Sequence, residues 1–255
     1  VKNQGVVIIP TYNESENIEL LVEKVLNLEP AVDALVVDDN SPDGTGELAD
    51  NLSEKYKERL FVLHRPGKLG LGTAHREAFK WAMKHGYRQL VTMDADFSHR
   101  PEAIPIMLNK LQVADVVIGS RYVRGGQMEG WTLTRKINSW TANFLARRLM
   151  GLKTKDCTGA FRAYQTDVLK IVPLEKLRAR GYSAHLEVLY YLEKAGARVA
   201  EVPITFVNRQ KGQSKISVGE VRETLNVLVY YFLFRPMVPA ARKGERKLEF
   251  FNFTL

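Results

Sequence analysis

The sequence predicts an α/β fold with a mostly parallel central sheet flanked by helices, on three observations. Within the first 120 residues, short β-branched runs alternate with amphipathic stretches. The runs are apolar throughout instead of alternating apolar with polar, and acidic or polar residues gather just past their ends. A strand that is apolar on both faces must be covered on both, and the intervening helices supply the cover. In such sheets ligands bind beyond the carboxyl ends of the strands, so the residues there carry the functional argument.

Taken in order, VVIIP (6–10) is the first strand and Pro10, Thr11, Tyr12, Asn13 and Glu14 lie at its exit. ALVVD (34–38) is the second, running into Asp38, Asp39, Asn40, Ser41, Pro42 and Asp43. LFVLH (60–64), QLVTMD (89–94) and DVVIG (115–119) complete the set, with helices near 16–28, 46–58, 73–85 and 101–111. Pro101 suits a first helical turn. Beyond residue 120 the pattern changes. GGQMEGW (125–131) reads as a mobile loop and 134–150 as a helix bearing Arg135, Ser139, Arg147 and Arg148. Residues 156–172 are mixed, 183–195 read as helix and RVAEVPITFV (198–207) as strand. Neither repeat nor linker divides these portions, so one domain spans 1–217, its second half completing the cleft.

VGEVRETLNVLVYYFLFR (218–235) begins amphipathic and turns apolar from Leu225 to Phe234. Ten helical residues span about 15 Å, whereas a bilayer core needs about 30 Å. The segment does not cross a membrane. It either packs as a buried helix or lies at a lipid interface, with Arg235, Arg242, Lys243, Arg246 and Lys247 near anionic headgroups. The tail 236–255 is basic and ends in FFNFTL.

The 255 residues carry a net charge of +8, which favours anionic partners. A single cysteine, Cys157, excludes an internal disulfide and fits a reducing compartment. No signal-peptide pattern and no Cys/His metal cluster is visible. No nucleic-acid motif accompanies the basic charge.

The stretch VTMDADFSHRP (91–101) raises the central question. Two carboxylates one residue apart at a strand end repel each other, and Asp is disfavoured in strands. A hard divalent cation, Mg²⁺ or Mn²⁺, turns that repulsion into attraction, with phosphate oxygens and water completing its shell. His99 nearby reads as a structural or surface residue. A Rossmann dehydrogenase is the first rival. PTYNE lacks the glycines of its first turn, and GLGTAH (70–75) follows the third strand.

Together VVIIPTYNE (6–14), VVDDNSPDGT (36–45), MDADFSH (93–99), GSRYVRGG (119–126), TGAFRAY (158–164), EVPITF (201–206) and NRQKGQSK (208–215) resemble glycosyltransferase family 2. Within it they are most similar to the dolichol-phosphate, or polyprenol-phosphate, mannosyltransferases. The resemblance implies a GT-A fold, with a nucleotide-binding half to about residue 120 and an acceptor half over 121–217. It implies a nucleotide-sugar pocket from Pro10, Tyr12, Glu14, Val37 and Asp39, with Asp94, Ala95 and Asp96 at the diphosphate. Asp94 and Asp96 would hold the metal. Ser98, where relatives often carry Gln, would reach it only through water. Arg121, Arg135 and Ser139 would receive the acceptor phosphate, Arg121 would also contact the nucleotide sugar, and Arg209 and Lys215 would close over the donor.

The implied reaction is metal-dependent, inverting transfer of mannose from GDP-mannose to a polyprenyl or dolichyl phosphate. Asp96, Arg121, Arg135 and Ser139 would be its catalytic group. A lipid phosphomonoester is already largely dianionic at neutral pH, so no general base is required. The alternatives are another nucleotide sugar, such as UDP-glucose, and a non-catalytic nucleotide- or membrane-binding module. The expected setting is peripheral, on the cytoplasmic side of a membrane, with room for a membrane-anchoring partner protein.

Overall fold

The computed structural model describes residues 3–208 and 218–238. Its central sheet runs β3-β2-β1-β4-β7-β5-β8. The strands are β1 (Gly5–Thr11), β2 (Asp33–Asp38), β3 (Leu60–His64), β4 (Gln89–Thr92), β5 (Val116–Ser120), β7 (Arg162–Gln165) and β8 (Val199–Pro203). All pair in parallel except β7, which runs antiparallel to both β4 and β5. β6 (Gln127–Glu129) and β9 (Thr205–Val207) form a separate parallel pair.

Helices α1 (Ile18–Leu26), α2 (Thr45–Lys55), α3 (Leu71–Lys84), α4 (Ile104–Lys110), α5 (Leu133–Met150), α6 (Ala184–Lys194) and α7 (Val218–Phe234) surround the sheet. The pleat sorts the core into two layers, because successive side chains of a strand face opposite ways. Val6 and Ile8 join Ala74, Ala78 and Phe79 of α3 and the apolar residues of α6. Val7 and Ile9 join Ile18, Leu21, Val22 and Val25 of α1 and Ile104, Met107 and Leu108 of α4. The spacing of those α1 residues is the apolar stripe of an amphipathic helix.

Two expectations change. GGQMEGW is no free loop, since Gln127–Glu129 pairs with Thr205–Val207. The strand expected over 198–207 divides at Ile204 into β8, in the main sheet, and β9, in the small one. β7 emerges from the mixed 156–172 region, and an antiparallel insertion needs no crossover helix. At the start of α3, Gly70 (φ +100°) lies where an added Cβ would meet the Arg180 carbonyl oxygen at 2.5 Å. Glycine alone fits both the backbone and the space.

Candidate active site

The ends of β1, β2, β4 and β5 build the site, and hydrogen bonds between loops fix it. Asp39 N–H donates to the Thr11 carbonyl at 3.0 Å, Glu14 N–H to Thr45 Oγ1 at 3.0 Å and Ser15 N–H to Asp43 Oδ2 at 3.1 Å. Asp38, the last residue of β2, braces the following turn, its carboxylate accepting from Thr11 Oγ1, Ser41 N–H and Ser41 Oγ. Each of the three loops turns on one non-glycine residue in the left-handed region: Asn13 (φ +57°), Asn40 (φ +55°) and Phe97 (φ +58°). Asn accepts that conformation readily, whereas a bulky Phe is an outlier of the kind found at functional turns.

Asp39 is buried and already engaged. Arg65, on the segment after β3, contacts its Oδ1, and Leu69 N–H donates to its Oδ2 at 3.2 Å. The Arg65 side chain is wholly buried and also reaches Glu77 at 3.1 Å and Thr73 Oγ1. Lys68 Nζ sits 4.3 Å from the centre of the Tyr12 ring. Pro10 and Tyr12 are partly exposed at this corner. Glu14 is buried and accepts from Asn17 Nδ2 at the entry to α1. The Val37 side chain lies wholly in the core, so only its backbone faces the loops.

β4 ends at Thr92, which puts Asp94 and Asp96 in the following turn. Asp94 is one quarter exposed at its side chain and Asp96 nearly buried, with Ala95 buried between them. Ser98 donates its N–H to Asp96 Oδ1 at 3.0 Å, and its hydroxyl contacts the same oxygen. It therefore supports Asp96 through hydrogen bonds. His99 is buried, stacks on Phe161 and accepts the Asp94 N–H at Nδ1. Burial pushes this imidazole down to about 4, Asp96 pulling it up and Arg121 pressing it further down. The ring is buried, not at the surface, and it fixes the turn through the Asp94 N–H. Among the described residues no cluster of three or more acidic, His or Cys side chains could hold a metal alone. Two carboxylates at a strand end still suit a hard cation whose remaining ligands come from phosphate and water.

Arg121, just past β5, is gripped by Asp156. Nε donates to Oδ2 at 2.8 Å, Nη2 to Oδ1 at 2.6 Å and the Arg121 backbone N–H to Oδ2 at 2.9 Å. Burial would raise the Asp156 carboxyl, but Arg121's charge and hydrogen bonds outweigh it and hold the group below its ordinary range. Arg135 and Ser139 lie on α5. The Arg135 guanidinium donates to Asn208 Oδ1 at 2.7 Å, and Ser139 Oγ accepts from Tyr122 at 2.8 Å. Asn143 ties α5 to the β7 approach, accepting from the N–H groups of Cys157 and Thr158. Arg209 and Lys215 lie outside the described residues.

Sequence reading missed Arg65, Asp156 and Asn143. An arginine after a strand exit was a usable signal for Arg65; the other two are distant in sequence from the groups they hold.

The helix-flanked, mostly parallel sheet is that of the GT-A nucleotide-sugar transferases, and Asp94 and Asp96 lie in the turn past its β4 strand. The chain belongs to glycosyl transferase family 2, whose profile matches residues 6–172. It is 44% identical over 218 residues to an undecaprenyl-phosphate mannosyltransferase of Micrococcus luteus, covering 86% of this chain and 89% of that one. It is equally identical, 44% over 220 residues, to a polyprenol monophosphomannose synthase of Mycolicibacterium smegmatis, covering 86% and 83%. A crystal structure of glucosyl-3-phosphoglycerate synthase from Mycobacterium tuberculosis, with Mn²⁺, UDP and glucosyl-3-phosphoglycerate, superimposes with a TM-score of 0.63. That match covers 93% of this chain and 81% of the other at 18% identity, a likeness of fold.

Proposed function

We propose that this enzyme transfers mannose from GDP-mannose to a polyprenyl phosphate, with inversion. The observation that carries the reading is the 44% identity, over most of the chain, to two mannosyltransferases named for lipid-phosphate acceptors. The acids of the β4 turn and the basic residue Arg121 past β5 support it.

Asp94 and Asp96 would hold Mg²⁺ or Mn²⁺, which when bound offsets charge on the departing diphosphate. The Tyr12 and Asp39 corner takes the nucleoside. Arg135, Ser139 and Arg121 orient the acceptor phosphate, and arginine suits bidentate contact with it. A phosphate oxygen of the acceptor attacks the anomeric carbon as the bond from that carbon to the GDP oxygen breaks. The electron pair leaves with GDP. The phosphomonoester is largely dianionic at neutral pH, so no proton needs to be removed from it. Positioning and charge management are the protein's contribution.

Such an acceptor is reached at a membrane surface. α5 and α7 pack together, and each leaves an apolar row exposed: Leu133, Ile137, Trp140 and Phe144 on α5, and Val221, Leu225, Val229 and Phe232 on α7. We assign these rows to the lipid interface, in keeping with the absence among the described residues of a helix long and apolar enough to cross a membrane.

The test is a panel: the protein with Mg²⁺, radiolabelled GDP-mannose or UDP-glucose, and polyprenyl phosphate or a hydroxyl acceptor. Label from GDP-mannose in the organic phase, dependent on the lipid phosphate and lost with chelator, is the expected result. Transfer from UDP-glucose instead, or turnover undiminished in excess chelator, overturns it.

A further inference from the structure

Trp131 lies between the small sheet and α5, one residue before the helix-capping Thr132. Its ring centre is 4.0 Å from the Arg135 guanidinium carbon and 5.4 Å from that of Arg121. Phe206, in the middle of β9, stands edge-on to the indole at 5.3 Å and 81°. It lies 5.5 Å from the Arg121 guanidinium carbon and 6.0 Å from that of Arg135. Two cations from separate elements therefore share one pair of aromatic rings.

The chemistry of the indole is informative. Its Nε1–H is buried and has no hydrogen-bond partner among the described residues, and an unsatisfied buried donor costs stability. The indole's contribution here is its face, and indole has the best aromatic face for a guanidinium. Each arginine is also held by an acceptor, Arg121 by Asp156 and Arg135 by Asn208. The bidentate carboxylate fixes the plane of the Arg121 guanidinium, and the indole face at 4.0 Å restricts that of Arg135 beside it. The β6–β9 pair explains how the platform is assembled, since its register sets Met128 against Phe206 and delivers Trp131 two residues after Glu129.

We propose that Trp131, with Phe206, is a positioning platform that holds Arg121 and Arg135 together as one receptor for a dianionic phosphomonoester. This rests on the functional reading above and adds a residue pair to its acceptor side. Offsetting two like charges with ring quadrupoles, in place of a second carboxylate, leaves net positive charge for the ligand.

The experiment is steady-state kinetics on the full chain with GDP-mannose and polyprenyl phosphate, comparing Trp131→Phe, Trp131→Leu and Phe206→Leu. Trp131→Leu is expected to raise KM for the lipid phosphate about tenfold, with KM for GDP-mannose within about twofold of wild type. Trp131→Phe, which restores an aromatic face, should recover most of the loss. Should Trp131→Leu not fold, Trp131→Met and Phe206→Leu decide by the same two constants. An unchanged acceptor KM, equal rises in both constants, or no rescue by Phe overturns the platform. Wild-type protein that moves no mannose sinks the functional reading instead; flotation of wild type and Trp131→Leu with vesicles carrying polyprenyl phosphate, against vesicles without it, then tests the platform. Loss of the lipid-phosphate-dependent increment in Trp131→Leu upholds it, and equal increments overturn it.

Discussion

Arg121 and Asp156 form a buried bidentate ion pair, closed by contacts of 2.8 and 2.6 Å and by a third from the Arg121 backbone. The pair joins β5 to the approach of β7, bringing two distant stretches of chain together. Removing one partner of a buried pair strands the other charge, at a cost of about 3–5 kcal/mol. Asp156→Ala should therefore lower unfolding free energy by about that amount in urea titrations. Asp156→Asn, which keeps one acceptor, should lose less. A variant of wild-type stability would show that Arg121 finds another partner.

Asp96 makes a different prediction, because its buried carboxylate is held within its own turn by Ser98. Asp96→Ala should reduce turnover at least 100-fold, the scale of removing a charge-stabilising group, with the melting temperature nearly unchanged. Ser98→Ala removes a hydroxyl contact and keeps the backbone N–H donor. It should cost about fivefold, near 1 kcal/mol. Comparable losses in both variants would make Ser98 as important as the acid it supports.

These residues also show what was legible in the sequence. The main strands and Asp94 and Asp96 could be located because apolar runs and charged exits are local patterns. His99, read as a structural or surface residue, is a buried ring stacked on Phe161. Asp156 could not be placed, because its partner is 35 residues away and a lone Asp in a mixed segment carries no periodic signal. The 125–131 stretch looked like a loop because a three-residue strand has too few positions to show alternation. Its partner β9 was hidden inside a longer apolar run that the fold divides at Ile204.

Arg65 tests the nucleoside corner. It braces Asp39 while holding Thr73 and Glu77, so it positions a carboxylate that faces the proposed base and ribose. Arg65→Gln should raise KM for GDP-mannose about tenfold, from loss of a charged hydrogen bond, and leave the lipid-phosphate KM unchanged. Parallel changes in both would reduce Arg65 to a general brace of the fold.

His75 and His185 predict an acid limit to stability. Their buried rings lie 4.8 Å apart between α3 and α6. Burial, with Arg162 and Arg65 nearby, pushes His75 down to about 3; burial and then His75 itself lower His185. As pH falls below about 6.5, the usual histidine value, the unfolded chain binds protons that the folded chain refuses, and stability falls. Each ring contributes a slope of about 1.4 kcal/mol per pH unit over the range where only the unfolded state is charged. His75→Phe should flatten the curve between about pH 6 and pH 4 by close to one such slope. An unchanged slope in denaturation curves would mean that the ring is protonated in the folded protein.

The apolar rows of α5 and α7 give the last prediction. Leu133, Ile137, Trp140 and Phe144 recur at intervals of four, three and four, and all are at least 49% exposed. That periodicity normally marks a face buried in the core, yet here α5 buries Asn143, Ala146 and Met150 and leaves the larger side chains outside. α7 likewise buries Val227, Leu228 and Tyr231 and exposes Val229 and Phe232. On the proposed lipid-interface reading, the apolar row would bury among the acyl chains and cationic neighbours would be drawn to anionic headgroups. Replacing Ile137 and Trp140 together by Ser should leave the melting temperature within a few degrees and weaken binding to anionic liposomes about tenfold or more, given about 25 cal/mol per Å² of apolar area kept in water. Transfer to a short-chain, water-soluble phosphate acceptor should persist. Unchanged partitioning would assign the row to a protein partner, and loss of transfer to the soluble acceptor would place these residues in the acceptor site itself.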